Sequence, residues 1–225
     1  MSEQPKTHER QRNREIPFPE TLVRGIGKLE DYLLGLDKQD TLDYENLPPV
    51  IASAGIERYA NWLSGLTQAD SLHRERAAYI HLRLSNNELI FPSNPKIGDE
   101  YSSEGAEYTR NHSKFFPLVR IHSHPNVLAF SYQDLKRVID SRGILYERND
   151  FVADMVATTG KNYLLLRTGQ TGFLADGSTE QMLEGASRIL RKTREQNLEL
   201  VQKIARKYKI AFYASNRDGE YKLLE

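Results

Sequence analysis

The chain contains no cysteine among its 225 residues. This absence excludes disulfide bonds, thiolate zinc fingers, iron–sulfur clusters and a cysteine nucleophile. Any metal ion bound by the protein must therefore be held by His, Asp or Glu side chains.

The chain also has no excess of charge of either sign, since 31 Lys and Arg residues balance 31 Asp and Glu residues. A balanced chain has no overall field that would attract nucleic acid or an anionic membrane, so neither partner is indicated. Residues 1–15 are polar and contain no apolar run, so we expect neither a secretory signal nor a membrane anchor and, by default, a cytoplasmic location.

The pattern of residues along the chain predicts three segments. Residues 1–15 lack periodicity and are expected to form a disordered tail. Residues 16–49 form an N-terminal helical extension, in which apolar residues between Phe18 and Gly35 recur at helical spacing. Residues 50–225 have the length of one domain, and no internal repeat divides them.

Within residues 50–225 the hydrophobic period changes from helical to alternating and back, which predicts an α/β fold with a mixed sheet and flanking helices. Strands are predicted at 77–84, 89–91, 115–124, 154–159, 162–167, 210–213 and 221–224, and helices at 50–66, 131–142 and 178–208. The polar segment 92–114 is too long for a simple connection. The long C-terminal helix could serve in packing against the sheet or in a homo-oligomer.

His122 and His124 lie two residues apart on a predicted strand, so their side chains leave the same face with Cα atoms about 6.6 Å apart. Asp134 follows three residues after Ser131, the expected N-cap of the next helix. If the short loop folds that helix back over the strand, the three side chains converge on one ion. Two imidazoles and one carboxylate leave a fourth position open to water, as in catalytic zinc sites.

Each part of this pattern has an ordinary structural interpretation when it stands alone. A Ser-x-x-Asp at a helix start is a common capping arrangement, and a His-x-His is unspecific. His81 illustrates this, because its place inside the first predicted hairpin indicates a packed strand residue. The conjunction of His-Ser-His-Pro at 122–125 with Ser-Tyr-Gln-Asp at 131–134 is what favours a metal site.

In this conjunction the chain resembles the JAMM (MPN-plus, or JAB) zinc metalloproteases, whose motif is an upstream Glu, then His-Ser/Thr-His-Pro, then Ser-x-x-Asp. The resemblance implies a curved mixed sheet flanked by helices in the three-layer arrangement of cytidine deaminases. It implies that His122, His124 and Asp134 bind Zn²⁺ and that the hydroxyl of Ser131 stabilises an oxyanion. The reaction implied is hydrolysis of an amide or isopeptide bond in a protein or peptide, with ubiquitin-like tails as the best-known substrate class.

The resemblance locates the upstream Glu by position alone. Glu75 lies just before the first predicted strand and is our choice for the general base that transfers the proton of the attacking water. Glu88, on the return strand of the hairpin, is the alternative. Glu104 and Glu107 lie in the long polar segment, which is itself the expected substrate contact, and come third.

The sequence departs from the family in one respect, because six residues, Pro125 to Phe130, separate His124 from Ser131, one fewer than is usual. A second hypothesis is therefore a non-catalytic MPN-like interaction module that keeps the fold without turnover. A third makes His122 and His124 core residues of a helix-rich binding protein that uses its C-terminal helix as the partner surface.

Overall fold

The computed structural model describes residues 43–83, 85, 88–98, 115–126, 128–140, 153–171 and 194–224. Several predicted features lie outside these residues: the tail at 1–15, the helix between Phe18 and Gly35, the segment 99–114 with Glu104 and Glu107, and the first half of the long C-terminal helix. Among the described residues, no helix combines the length and the apolar character needed to cross a bilayer.

The described residues form a mixed sheet with helices. The strands are β1 Val50–Ala52, β2 Arg76–Arg83, β3 Glu88–Ile90, β4 Lys96–Ile97, β5 Phe115–Ser123, β6 Ala153–Ala157, β7 Asn162–Arg167, β8 Ile210–Ser215 and β9 Glu220–Leu223. The helices are α1 Ala54–Ala69, α2 Tyr132–Asp140 and α3 Arg194–Tyr208, and a 3₁₀ helix spans Tyr44–Asn46.

The strands pair in the order β1-β9-β8-β7-β6-β5-β2-β3, and β4 adds to the start of β2. Among the described strands, β5 and β6 are the only parallel neighbours, with α2 on the connection between them. The α/β class with a mixed sheet is therefore confirmed. Strand β5 has paired neighbours on both sides, so residues at its end are held by the centre of the sheet.

The alternation of side chains along the strands separates two hydrophobic cores. Ile121 and Met155 face α1 in one core, whereas Val156 and Leu165 face α2 and α3 in the other. Helices therefore cover both faces of the sheet. The described half of the predicted C-terminal helix, α3, packs against the sheet.

The prediction of a helix from Val50 to Leu66 is wrong at its start. Val50–Ala52 is a strand that pairs with β9, and α1 begins at Ala54 after Ser53, whose hydroxyl accepts a hydrogen bond from Ile56 N at 3.2 Å. β-Branched residues at 50 and 51 suit a strand, and pairing with a strand about 170 residues later overrides the helical spacing.

Candidate metal centre

Strand β5 places the two histidines of the motif. His122 lies opposite Ala77 of β2 and Val156 of β6. His124 follows the end of the strand, and its backbone N–H donates to Ala157 O at 2.9 Å, which extends the β-like pairing by one residue. Both rings are buried, with centroids 4.9 Å apart. The backbone thus presents two imidazoles side by side, as the spacing predicted.

Ser123, between the histidines, anchors the strand from the opposite face. Its hydroxyl shares a hydrogen bond with the hydroxyl of Thr67 on α1 and accepts one from Arg76 N at 3.0 Å. All three residues are buried. Ser123 therefore ties β5 to both α1 and β2, a role that we did not predict from the sequence.

Helix α2 brings Asp134 to the histidines. Ser131 N and Oγ donate to Asp134 Oδ2 at 2.9 and 2.6 Å, and Asp134 N donates back to Ser131 Oγ at 3.3 Å. These reciprocal bonds satisfy free N–H groups of the first helical turn, so Ser131 is the N-cap, as predicted. The same bonds fix the orientation of the Asp134 carboxylate.

The loop that joins β5 to α2 is held by Asn197 of α3. The Asn197 side chain accepts from Ala129 N at 3.0 Å and donates to Phe130 O at 2.9 Å. The amide is fully buried, so both bonds are shielded from water. Asn197 thus fixes the backbone immediately before Ser131. Sequence reasoning missed this residue, since an Asn in a helical pattern gives no sign of a partner 68 residues away.

The three predicted ligands converge. Donor atoms of His122, His124 and Asp134 all lie within 4.8 Å of one another, and all three residues are buried. Asp134 Oδ1 is 3.2 Å from His122 Nε2, and Asp134 Oδ2 is 3.7 Å from His124 Nε2. This group of side chains could hold a metal ion.

His124 is prepared to act as a ligand. Because a carbonyl can only accept, the 3.0 Å contact between His124 Nδ1 and Leu128 O places the ring proton on Nδ1. The lone pair of Nε2 then faces Asp134. Burial, reinforced by the charge of His122, lowers the pKa of His124 to about 4, so the imidazole is neutral at pH 7.

His122 carries the clearest sign of a missing partner. Neither of its buried ring nitrogens makes a hydrogen bond with a described residue, although Asp134 Oδ1 and Asp154 Oδ1 lie 3.2 and 3.5 Å away. Burial opposes a charge on this ring, but the Asp134 carboxylate raises its pKa to about 9. A cation in place of the Nε2 proton would satisfy this nitrogen, so the site fits a metal ion.

The surrounding charges also fit a cation. The Arg120 guanidinium contacts both Asp134, at 3.1 Å, and Asp154, at 2.7 Å. Glu75 adds a third carboxylate close to the ligands. Three carboxylates therefore lie around the two imidazoles, and their negative charge favours a cation at this centre. Sequence reasoning identified neither Arg120 nor Asp154, because a single Arg or Asp in a mainly apolar strand gives no sign of its partner.

The structure places Glu75, the predicted proton-transfer residue, beside the ligands. Glu75 Oε1 lies 3.7 Å from His124 Nε2, and the carboxylate is buried at the start of β2. Glu88 lies elsewhere. Glu88 lies opposite Arg83 in the sheet and forms an ion pair with it at 2.9 Å. Arg83 is about 20 Å along β2 from Ala77, the residue opposite His122.

Ser131 lies at the exposed rim of the site, where its hydroxyl is held by Asp134. The geometry thus groups Glu75, His122, His124, Ser131 and Asp134 around one centre. No protein-family model, curated protein or solved structure matches the chain. The side chains of this centre are therefore the basis for assigning a function.

Proposed function

We propose that this protein is a zinc-dependent metallopeptidase of the JAMM type that hydrolyses an amide or isopeptide bond in a protein or peptide. The observation that carries the proposal is the convergence of His122, His124 and Asp134 with Glu75 3.7 Å from one ligand nitrogen. These residues also follow the order of the JAMM motif along the chain.

The donor set favours zinc. Two imidazoles and one carboxylate are typical zinc ligands, whereas calcium and magnesium prefer oxygen ligands alone. Three protein ligands leave one tetrahedral position for water or substrate. When bound, zinc would supply Lewis-acid chemistry, lowering the pKa of a water molecule to about 7 and polarising the carbonyl under attack.

The remaining chemistry belongs to Glu75 and Ser131. Glu75 takes the proton of the attacking water and delivers it to the leaving amine, a role that suits a buried carboxylate beside His124. The hydroxyl of Ser131, at the rim, donates to the oxygen that becomes negative in the transition state. To do so it exchanges its hydrogen bond with Asp134 for one with the substrate.

The substrate class is proposed from the resemblance, which favours the tails of ubiquitin-like proteins. Strand β4 lies within the polar segment 92–114, the expected substrate contact, and its position supports this part of the proposal. Gly98, directly after β4, donates its N–H to Glu75 O at 2.9 Å, so this residue of the segment lies beside the general base.

Three variants, Asp134→Asn, Glu75→Gln and Glu88→Gln, test the proposal. Asp134→Asn should lose stoichiometric zinc, measured by elemental analysis, together with hydrolysis of ubiquitin-like fusions. Glu75→Gln should keep zinc while kcat falls about 10²–10⁴-fold, since it removes only proton transfer. Glu88→Gln is the matched control, because the ion pair of Glu88 with Arg83 lies far from the centre, and it should change neither property.

An Asp134→Asn protein that retains both zinc and full activity refutes the proposal. A zinc-loaded wild type that leaves every fusion intact would support the non-catalytic module instead. A wild type purified without chelator that contains no zinc at neutral pH would favour the third hypothesis, in which the histidines are core residues.

A further inference from the structure

Arg120 and Asp154 form a buried ion pair beneath the metal centre, and the proposed reaction uses neither residue. They lie opposite each other on the parallel strands β5 and β6, and their side chains meet at 2.7 Å. Asp154 is fully buried and Arg120 is 3% exposed. Because burying two charges costs several kcal/mol per ion, in order-of-magnitude terms, their contacts call for an explanation other than stability.

Asp154 is directed at the first histidine ligand. Its Oδ2 binds Arg120, whereas its buried Oδ1 makes no hydrogen bond with a described residue and lies 3.5 Å from His122 Nδ1. Histidines that bind a metal through one nitrogen usually donate the other N–H to a carboxylate or a carbonyl. Asp154 is placed to accept that N–H, which would leave Nε2 of His122 facing the ion.

Arg120 links this carboxylate to another ligand. The same nitrogen, Nη1, contacts Asp154 Oδ2 at 2.7 Å and Asp134 Oδ1 at 3.1 Å. One guanidinium therefore joins the sheet residue behind His122 to the ligand on α2. A shift of either carboxylate would move the other.

We propose that Arg120 and Asp154 are positioning residues of the metal centre. Asp154 orients His122 by accepting its Nδ1–H, and Arg120 holds the carboxylates of Asp154 and Asp134 in place through its contacts with both. This inference rests on the metal centre of the proposed function and does not depend on which bond is hydrolysed.

Metal binding tests the inference without any measurement of hydrolysis. In chelator-treated Asp154→Asn protein, we expect the Kd for Zn²⁺, from competition with a chromophoric chelator, to rise about 10–100-fold. The visible absorption of added Co²⁺ should also change, since it reports ligand geometry. The matched control is Glu57→Gln. Glu57 is a buried carboxylate on the α1 side that accepts from Ser215 Oγ at 2.8 Å, and this variant should leave Kd and spectrum unchanged.

A double variant separates positioning from folding. Arg120→Met/Asp154→Leu removes both charges together, and such apolar replacement of a buried pair is often neutral or stabilising. We expect thermal unfolding to remain cooperative while zinc affinity stays about 10–100-fold below that of the wild type. If this double variant, or Asp154→Asn, has the same Kd for zinc and the same Co²⁺ spectrum as the wild type, the positioning role is refuted. The proposed function is unaffected by that result. If the wild type itself binds neither ion, the proposed function fails as well.

Discussion

At the scale of single residues, Ser123 and Ser131 show how one residue type serves two purposes near the same centre. Ser123 points away from the ligands and bonds to α1 and β2. Ser131 caps α2 and faces the site through its contact with Asp134. Substitution of Ser123 should therefore affect stability, whereas substitution of Ser131 should affect catalysis as well.

Replacement of Ser123 by Ala should destabilise the protein. The change leaves the buried Arg76 N–H and the Thr67 hydroxyl without their bonds to Ser123, and each unsatisfied buried group costs about 1–3 kcal/mol. Urea unfolding should show this loss. Ser71→Ala, at an exposed turn, is the control and should stay within about 0.5 kcal/mol of the wild type. Equal stabilities for the two variants would contradict the anchoring role.

Replacement of Ser131 by Ala should act on catalysis. If its hydroxyl stabilises the oxyanion, kcat should fall about 10²–10³-fold while KM changes little. Loss of the N-cap should also lower the free energy of unfolding by roughly 0.5–2 kcal/mol. Ser131→Thr retains the hydroxyl and should recover most of the activity and most of the stability. Steady-state kinetics with a fusion substrate would measure the first effect, and an unchanged kcat in the Ala variant would remove Ser131 from the mechanism.

At the scale of secondary-structure elements, α3 governs the loop between β5 and α2. That loop is one residue shorter than the resemblance implies, yet Asp134 still reaches both histidines. The Asn197 side chain accepts a hydrogen bond from Ala129 N and donates one to Phe130 O. These two bonds hold the loop backbone in a position from which Asp134 reaches both histidines. An element near the C-terminal end of the described residues thus positions a ligand in the middle of the chain.

Asn197→Ala should therefore weaken both the fold and the metal site. Two buried hydrogen bonds at about 1 kcal/mol each predict a loss of about 2 kcal/mol in the free energy of unfolding. The Kd for zinc should rise in the same variant, because the released loop no longer fixes Asp134. Glu199→Ala, at an exposed position on the same helix, is the control. A destabilised Asn197→Ala protein with wild-type zinc affinity would show that the loop does not depend on this contact.

At the scale of the whole molecule, the two hydrophobic cores on either side of the sheet do not involve the ligands. We therefore expect chelator-treated protein to keep its far-UV circular dichroism and to unfold cooperatively. A free zinc concentration of 100 times the Kd should then raise the free energy of unfolding by about 2.7 kcal/mol, because zinc binds only the folded protein. Thermal melts with and without zinc measure this, and Asp134→Asn should show no shift. Loss of the native spectrum on chelation would instead make the metal part of the fold.

The sequence alone was sufficient for features set by local periodicity. The hairpins β2–β3, β6–β7 and β8–β9 follow from alternating apolar runs around turn residues, and each is confirmed. The three candidate ligands were predictable for the same reason, since strand alternation places His122 beside His124 and the cap at Ser131 places Asp134 in the first helical turn. In all these cases the determining residues are close in sequence.

Only the tertiary structure decided what depends on distant partners. It makes Val50–Ala52 a strand, because the partner of that strand is β9. It separates Glu75 from Glu88, since the register of β2 against β5 determines which carboxylate meets His124. It also brings Asp154 under His122. Periodicity shows which face a side chain takes, but strand pairing decides which residues share that face, and pairing is set by the packing of the whole chain.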